Sequence, residues 1–205
     1  MEAVFPDSTP APERSLNRLR LAVLAALGLL AVGAAVLVFG RVSGRAGGAV
    51  PFSYLHGARS GASSPAPTGE ADTVFRLSGP RGQQAFTLAQ LEALPAVQYR
   101  ATQPQLKQSF VYTGVPLRDL AEAAGLPGRN LRISGDDQFA ATVQASDYLK
   151  FPVMLAYLAD GRPMTARQKG PLMVVFPTEQ APDHFTTFAY GSQWVWFAGS
   201  LSAAP

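Results

Sequence analysis

A few stretches of this chain hold side chains that do chemistry elsewhere. His184 is the one histidine beyond the first seventy residues, with Asp183 beside it and Ser192 eight positions on. An imidazole between an acid and a hydroxyl is the composition of a nucleophilic triad. No nucleophile-elbow glycine pattern surrounds the serine, so the competing reading is a loop histidine at a turn. Asp136-Asp137 offers paired carboxylates, but no further ligand follows at a metal-loop spacing, and a solvated turn accounts for both. Arg167 and Lys169 set two cations two residues apart, suited to an anionic ligand or to plain solvation. Phe185, Phe188, Tyr190, Trp194, Trp196 and Phe197 are the material of a core or of a pocket wall. The chain has no cysteine, which removes thiol nucleophiles, disulfides and thiolate metal sites in one step. One domain histidine without a thiol leaves no metal site to expect.

These residues need elements to carry them. Thr73–Leu77 reads as a strand ending at a Ser78-Gly79-Pro80 turn. Thr87 and Gln90 make a capping box, with Phe86 and Leu91 as its staple, and Pro95 stops the helix they open. Val97–Ala101 and Ser109–Tyr112 read as strands. Pro116 opens a second helix, with Leu117, Leu120, Ala121 and Ala124 on one face and Gly125 to end it. Leu131–Ile133 and Phe139–Val143 flank the Gly135-Asp136-Asp137 turn. Val153–Ala159 runs into Asp160-Gly161, a strong hairpin signal. Pro171–Phe176 has strand length, and Gln193–Phe197 alternates Trp194 and Trp196 against Val195 and Phe197. Many short strands with a few short helices and no βαβ alternation predict an α+β, mainly β domain over 71–205.

The preceding residues predict a tether. Leu21–Gly40 is twenty residues without charge or proline, about 30 Å as a helix, the thickness of a hydrocarbon core. Arg14, Arg18 and Arg20 before it outnumber Arg41 and Arg45 after it, so residues 1–20 are expected as a cytoplasmic tail and the domain outside. The expected site is the inner (cytoplasmic) membrane of a bacterium, single-pass, with the domain facing the periplasm or the exterior. Secretion after signal cleavage near Ala46-Gly47-Gly48 is the alternative. Residues 41–70, rich in Gly, Ser and Pro, read as a flexible linker, and His56 within it is assigned no role. Of the net charge of +3, the first seventy residues carry two-thirds. The domain thus lacks the basic stripe of a nucleic-acid binder, and no nucleic acid is expected as a partner.

Four segments, in order, carry a family resemblance. Tyr112-Thr113-Gly114-Val115-Pro116-Leu117 with Leu120, Asp137-Gln138-Phe139-Ala140-Ala141, Leu155-Ala156-Tyr157 with Asp160-Gly161-Arg162-Pro163-Met164, and Lys169-Gly170-Pro171-Leu172 through Pro177 resemble the sulfite-oxidase-type molybdopterin-binding oxidoreductase domain. Trp194 matches a tryptophan near that domain's end. The resemblance implies that family's fold, preceded here by one transmembrane helix.

Three departures bear on function. Where the family supplies a cysteine to molybdenum, this chain reads Arg100 to Gln105, and soft thiolate ligation has no substitute there. Met173 and Gln193 stand where the family has cations that hold the pterin's phosphate, and each lost charge-assisted bond removes about 1.5–3 kcal/mol. The resemblance therefore implies a vestigial cleft, with Gln103, Gln105, Arg167 and Lys169 as the residues placed to line it, no catalytic residues and no bound cofactor. The expected function is a non-catalytic extracytoplasmic binding, sensory or partner module. Its partners would be the membrane through 21–40, a membrane or periplasmic protein, or a small anionic ligand. The alternative is a molybdopterin-dependent oxidoreductase with atypical metal ligation.

Overall fold

The computed structural model describes residues 50–55 and 73–205. The tail, the apolar run at 21–40 and most of the linker stretch, with His56, lie outside the described residues. The strands are β1 (Phe75–Gly79), β2 (Gly82–Phe86), β3 (Val97–Gln103), β4 (Gln108–Pro116), β5 (Leu131–Gly135), β6 (Ala140–Val143), β7 (Met154–Ala159), β8 (Arg162–Pro163), β9 (Met173–Val175) and β10 (Ala198–Ala203). The helices are α1 (Leu88–Glu92), α2 (Leu117–Ala124), α3 (Ala145–Lys150) and α4 (Thr187–Tyr190), with 3-10 turns at Ala166–Gln168 and Gly191–Gln193. The result is a mixed α/β domain that is mostly strand.

The strands form two sheets. One has the order β2-β1-β10-β5-β6; the other runs β3-β4-β7-β8, with β9 also paired to β7. In the first, β1 and β10 are parallel while their other neighbours are antiparallel. One apolar core joins the sheets, with Phe75, Leu77, Leu120, Ile133, Val174, Phe176 and Trp194 among its buried members.

Local chemistry explains the well-formed elements. The Thr87–Gln90 capping box forms, each side chain meeting the other residue's backbone N–H. Gly125 ends α2 with φ of 74°, the left-handed cap for which glycine carries no Cβ penalty. Gly114 lies where β4 crosses β7: a Cβ there would sit 2.2 Å from the Leu155 carbonyl oxygen. Asp160 and Gly161 both take positive φ, as the tight β7–β8 turn requires.

Two sequence expectations change. The strand expected at Gln193–Phe197 is a 3-10 turn followed by irregular backbone, and the strand lies instead at β10. Phe197 has φ of 48°, which breaks an extended run, and Val195 bonds only singly to β9 through its carbonyl and the Val174 N–H at 3.0 Å. Residues 50–55, inside the stretch read as linker, are seated on the domain. Tyr54 bridges Val97, and the Leu55 N–H donates to the Ala96 carbonyl at 2.9 Å.

Candidate functional site

The β3–β4 hairpin delivers the first two candidate residues. Gln103 closes β3 and is fully buried. Its side-chain oxygen accepts from the Leu106 N–H and its backbone carbonyl from the Lys107 N–H at 2.8 Å, which folds residues 103–107 into a tight loop. Gln105, exposed on that loop, donates through Nε2 to the Gly191 carbonyl. The hairpin tip is thereby joined to the 3-10 turn that ends at Gln193 and precedes Trp194 and Trp196.

The other two candidates sit on the loop between β8 and β9. Arg167 is exposed, and no ion pair among the described residues involves it. Lys169 takes a left-handed φ of 68° and holds its Nζ 4.3 Å from the Trp196 ring centroid. Its carbonyl accepts from the Phe197 N–H at 3.2 Å. Gln105 and Lys169 thus meet the 191–197 segment from two sides, while the bonds of Gln103 stay within its own loop. Among the described residues no hydrogen bond links the Gln103–Gln105 loop to Arg167 or Lys169.

Burial marks this segment more sharply than charge does. Among the described residues, four buried side-chain polar atoms lack a partner: Gln103 Nε2, Gln193 Oε1, Trp194 Nε1 and Trp196 Nε1. All four belong to the end of β3 or to residues 193–196. Each buried, unsatisfied group costs about 1–3 kcal/mol, so their grouping is a property to explain. Together they offer three N–H donors and one amide acceptor, all uncharged.

Trp194 is a core ring with one polar edge left over. It is buried, with its ring 6.3 Å from that of Tyr112 and 6.3 Å from that of Phe176. Met173 is fully buried on β9. An arginine at that position would bury its charge in the apolar core, at a cost of several kcal/mol unless paired.

His184 pairs with neither residue beside which the sequence sets it. Its Nε2 lies 2.9 Å from Oδ1 of Asp147 on α3, and the Tyr190 hydroxyl donates to Asp147 Oδ2 at 3.2 Å. Tyr190 Oη is also 3.2 Å from His184 Nε2. The imidazole stacks on Phe151 with centroids 4.6 Å apart. Desolvation, the Asp147 charge and the hydrogen bond to it raise the Tyr190 pKa to about 12. The sequence gives no sign of this cluster, because Asp147 stands 37 residues from its histidine. Asp136 and Asp137 are exposed in the β5–β6 turn, where Asp137 Oδ1 accepts from the Phe139 N–H at 3.1 Å. Among the described residues no three His, Cys, Asp or Glu side chains gather as a metal site.

The model of the oxidoreductase molybdopterin binding domain matches residues 66–182. The chain belongs to this family. That stretch contains Gln103, Gln105, Arg167 and Lys169, whereas His184, Gln193 and both tryptophans lie beyond it. Among solved structures the chain is similar to the sulfane dehydrogenase SoxCD from Paracoccus pantotrophus, with 21% identity and a TM-score of 0.51. The likeness covers 67% of this chain and 39% of that one, so the chain spans well under half of that structure. It supports the fold. No curated protein matches the chain.

Membership in the molybdopterin-binding family corrects one expectation. Sequence departures at the metal ligand and at two cations led to the expectation of no cofactor, yet the family points to a molybdopterin-related one. The physical reason lies in which parts of the site the departures touch. They remove a thiolate and two charges, while the neutral donors and acceptor at 103 and 193–196 remain buried and unpaired. Neutral N–H donors and an amide acceptor are the group types that pair with the hydrogen-bonding edge of a pterin heterocycle. It supplies no cation for a phosphate and no thiolate for a metal.

Proposed function

We propose that the domain is a membrane-tethered, extracytoplasmic module that holds a molybdopterin-class cofactor by its heterocycle and serves as a binding or partner subunit, without turning over substrate by itself. The observation that carries this reading is the grouping of three unpaired donors and one unpaired acceptor at the end of β3 and at residues 193–196. Gln103 and Gln193 supply amide contacts, and Trp194 and Trp196 supply indole N–H groups. Lys169, held over the Trp196 ring, leaves one cation beside them. When bound, the cofactor would bring redox capacity; the chain's own residues orient it and keep water from its polar edge. The absence of any cysteine supports a holding role over a catalytic one.

The tether rests on Leu21–Gly40 and its flanking arginines. Mass spectrometry of the membrane-extracted protein should find Met1 or Glu2 at its N-terminus; recovery only of chains starting near Ala49 would replace the anchor with a cleaved signal. For the cofactor, full-length protein from a cofactor-producing host is extracted and its pterin read by fluorescence, alongside assays with sulfite and sulfoxide. Pterin without turnover supports the module. Turnover with stoichiometric molybdenum would establish the enzyme instead, and absence of pterin together with no binding of added free pterin would remove the site.

A further inference from the structure

Residues 186–193, comprising α4 and the 3-10 turn after it, are lightly held. No residue of either element is buried, and Phe188 on α4 is fully exposed. Among its apolar side chains only Tyr190 packs against the core, through Phe176 and Phe185, so the polar contacts made by that ring and its neighbours weigh heavily on where the segment rests. It matters where it rests, because Gly191 receives Gln105 from the β3–β4 loop and Gln193 contributes one of the unpaired buried atoms.

Besides the Gln105 contact at Gly191, two side-chain contacts in and beside the segment converge on one carboxylate. Asp147 Oδ1 meets His184, just before the segment, and Asp147 Oδ2 meets Tyr190, inside it. The Asp147 side chain is 3% exposed and that of His184 38%. Among the described residues no lysine or arginine pairs with Asp147. The rings of Phe151 and Phe185 pack on His184, and those of Phe176 and Phe185 on Tyr190, so the two hydrogen-bonding arms are set in direction before they reach the carboxylate. A buried carboxylate satisfied by one imidazole and one phenol is a costly way to gain stability, since desolvation offsets most of the attraction. It is an effective way to fix geometry.

We propose that Asp147 is a positioning residue for the cofactor site, holding residues 186–193 through His184 and Tyr190 as a lid that closes over a bound pterin heterocycle. This rests on the cofactor site proposed above. With Asp147 engaged at both oxygens, the lid sets Gly191 against Gln105 and brings Gln193 and Trp194 to the site. No charged residue occurs from Phe185 to Pro205. The closed lid therefore adds only neutral groups.

The test uses the full chain in detergent, with Asp147→Asn and Tyr190→Phe. Without ligand, amide exchange in 186–193 should speed by about tenfold or more in Asp147→Asn, the scale of one charge-assisted hydrogen bond, while β4 and β7 exchange as in the parent. Tyr190→Phe should move the same amides by a smaller factor, and it carries the test if Asp147→Asn fails to fold. With free pterin (2-amino-4-oxopteridine) as the probe, stopped-flow fluorescence should show faster dissociation from both variants at an unslowed association rate. Faster exchange across the whole domain would make Asp147 a purely structural residue and overturn the proposal, as would unchanged exchange in 186–193. Local loosening combined with a parent that binds no pterin would overturn the cofactor site and leave the latch standing.

Discussion

The two ends of β3 treat their polar groups in opposite ways. Where the strand begins, the segment at 50–55 lies against it, and no buried side-chain polar atom described there lacks a partner. The Tyr54 hydroxyl lies 2.8 and 3.0 Å from the two Asp119 carboxylate oxygens and accepts from Arg118 Nη2 at 2.7 Å. The Arg118 guanidinium also lies over the Phe52 ring at 3.7 Å. At the other end of the seven-residue strand, Gln103 begins the group of four buried atoms without partners. The first end is complete as a protein surface. The second resembles half of an interaction, and a fold able to satisfy Tyr54 so fully has no general difficulty in pairing its polar groups. The first end is architecture, and the second is where the proposed cofactor site lies.

Truncating a ring at the unpaired end should have the largest effect. Trp194→Ala should lower stability by about 3–5 kcal/mol, because this ring fills core beside Tyr112 and Phe176 despite its free N–H. Denaturant melts of parent and variant measure it, and a variant as stable as the parent would move Trp194 from the core to the ligand surface. At the paired end, Tyr54→Phe should cost about 1–2 kcal/mol at neutral pH by removing the phenol from Asp119 and Arg118. Burial first, then Asp119, raise this phenol from 10.0 to about 12. The folded state thus favours its neutral form. The contribution is fully present below pH 10 and is lost as pH rises from 10 to about 12. Stability measured across that window should fall less steeply in Tyr54→Phe than in the parent; equal slopes would detach the segment at 50–55 from the fold's energetics. The smallest effect on stability should come from Trp196→Phe, which deletes an unpaired N–H and keeps an aromatic ring under Lys169. Unliganded stability should stay within about 1 kcal/mol of the parent, while pterin affinity by fluorescence titration falls about tenfold. A large loss of stability without loss of affinity would erase the contrast between the two ends.

What could be read in the sequence was local. Thr87 with Gln90, Pro116 with Gly125 and Asp160-Gly161 each announce an element by chemistry confined to a few neighbouring residues, and each element formed. Elements without a strong local signal escaped. β2 is short and glutamine-rich, and becomes a strand through pairing with β1. α3 is six residues long, too short for a helical period to declare itself. β10 is built mostly of small residues, and the tryptophans beside it drew the strand assignment a few positions early. The candidate site was legible as a region, since Gln105 and Lys169 both border the 191–197 segment. Its polar imbalance was not, because whether a glutamine or an indole finds a partner depends on packing between residues some ninety positions apart. The pairing of His184 with Asp147 was hidden for the same reason.

The parallel pairing of β1 with β10 has a consequence for how the chain becomes a domain. Leu77 lies beside Leu201, and β10 in turn holds β5 on its other side. Without β10, the order β2-β1-β10-β5-β6 falls into two separate hairpins with open inner edges. As the chain is synthesised, β1–β2 and β5–β6 must wait, unpaired at those edges, until residues 198–203 are made and thread between them. The contacts that complete the sheet join β10 to β1, as in Leu77 with Leu201, and to β5, as in Leu201 with Ile133, the kind of long-range closure that slows folding. Until then the open edges invite pairing with other chains. This fold is therefore most exposed to aggregation before its last strand arrives.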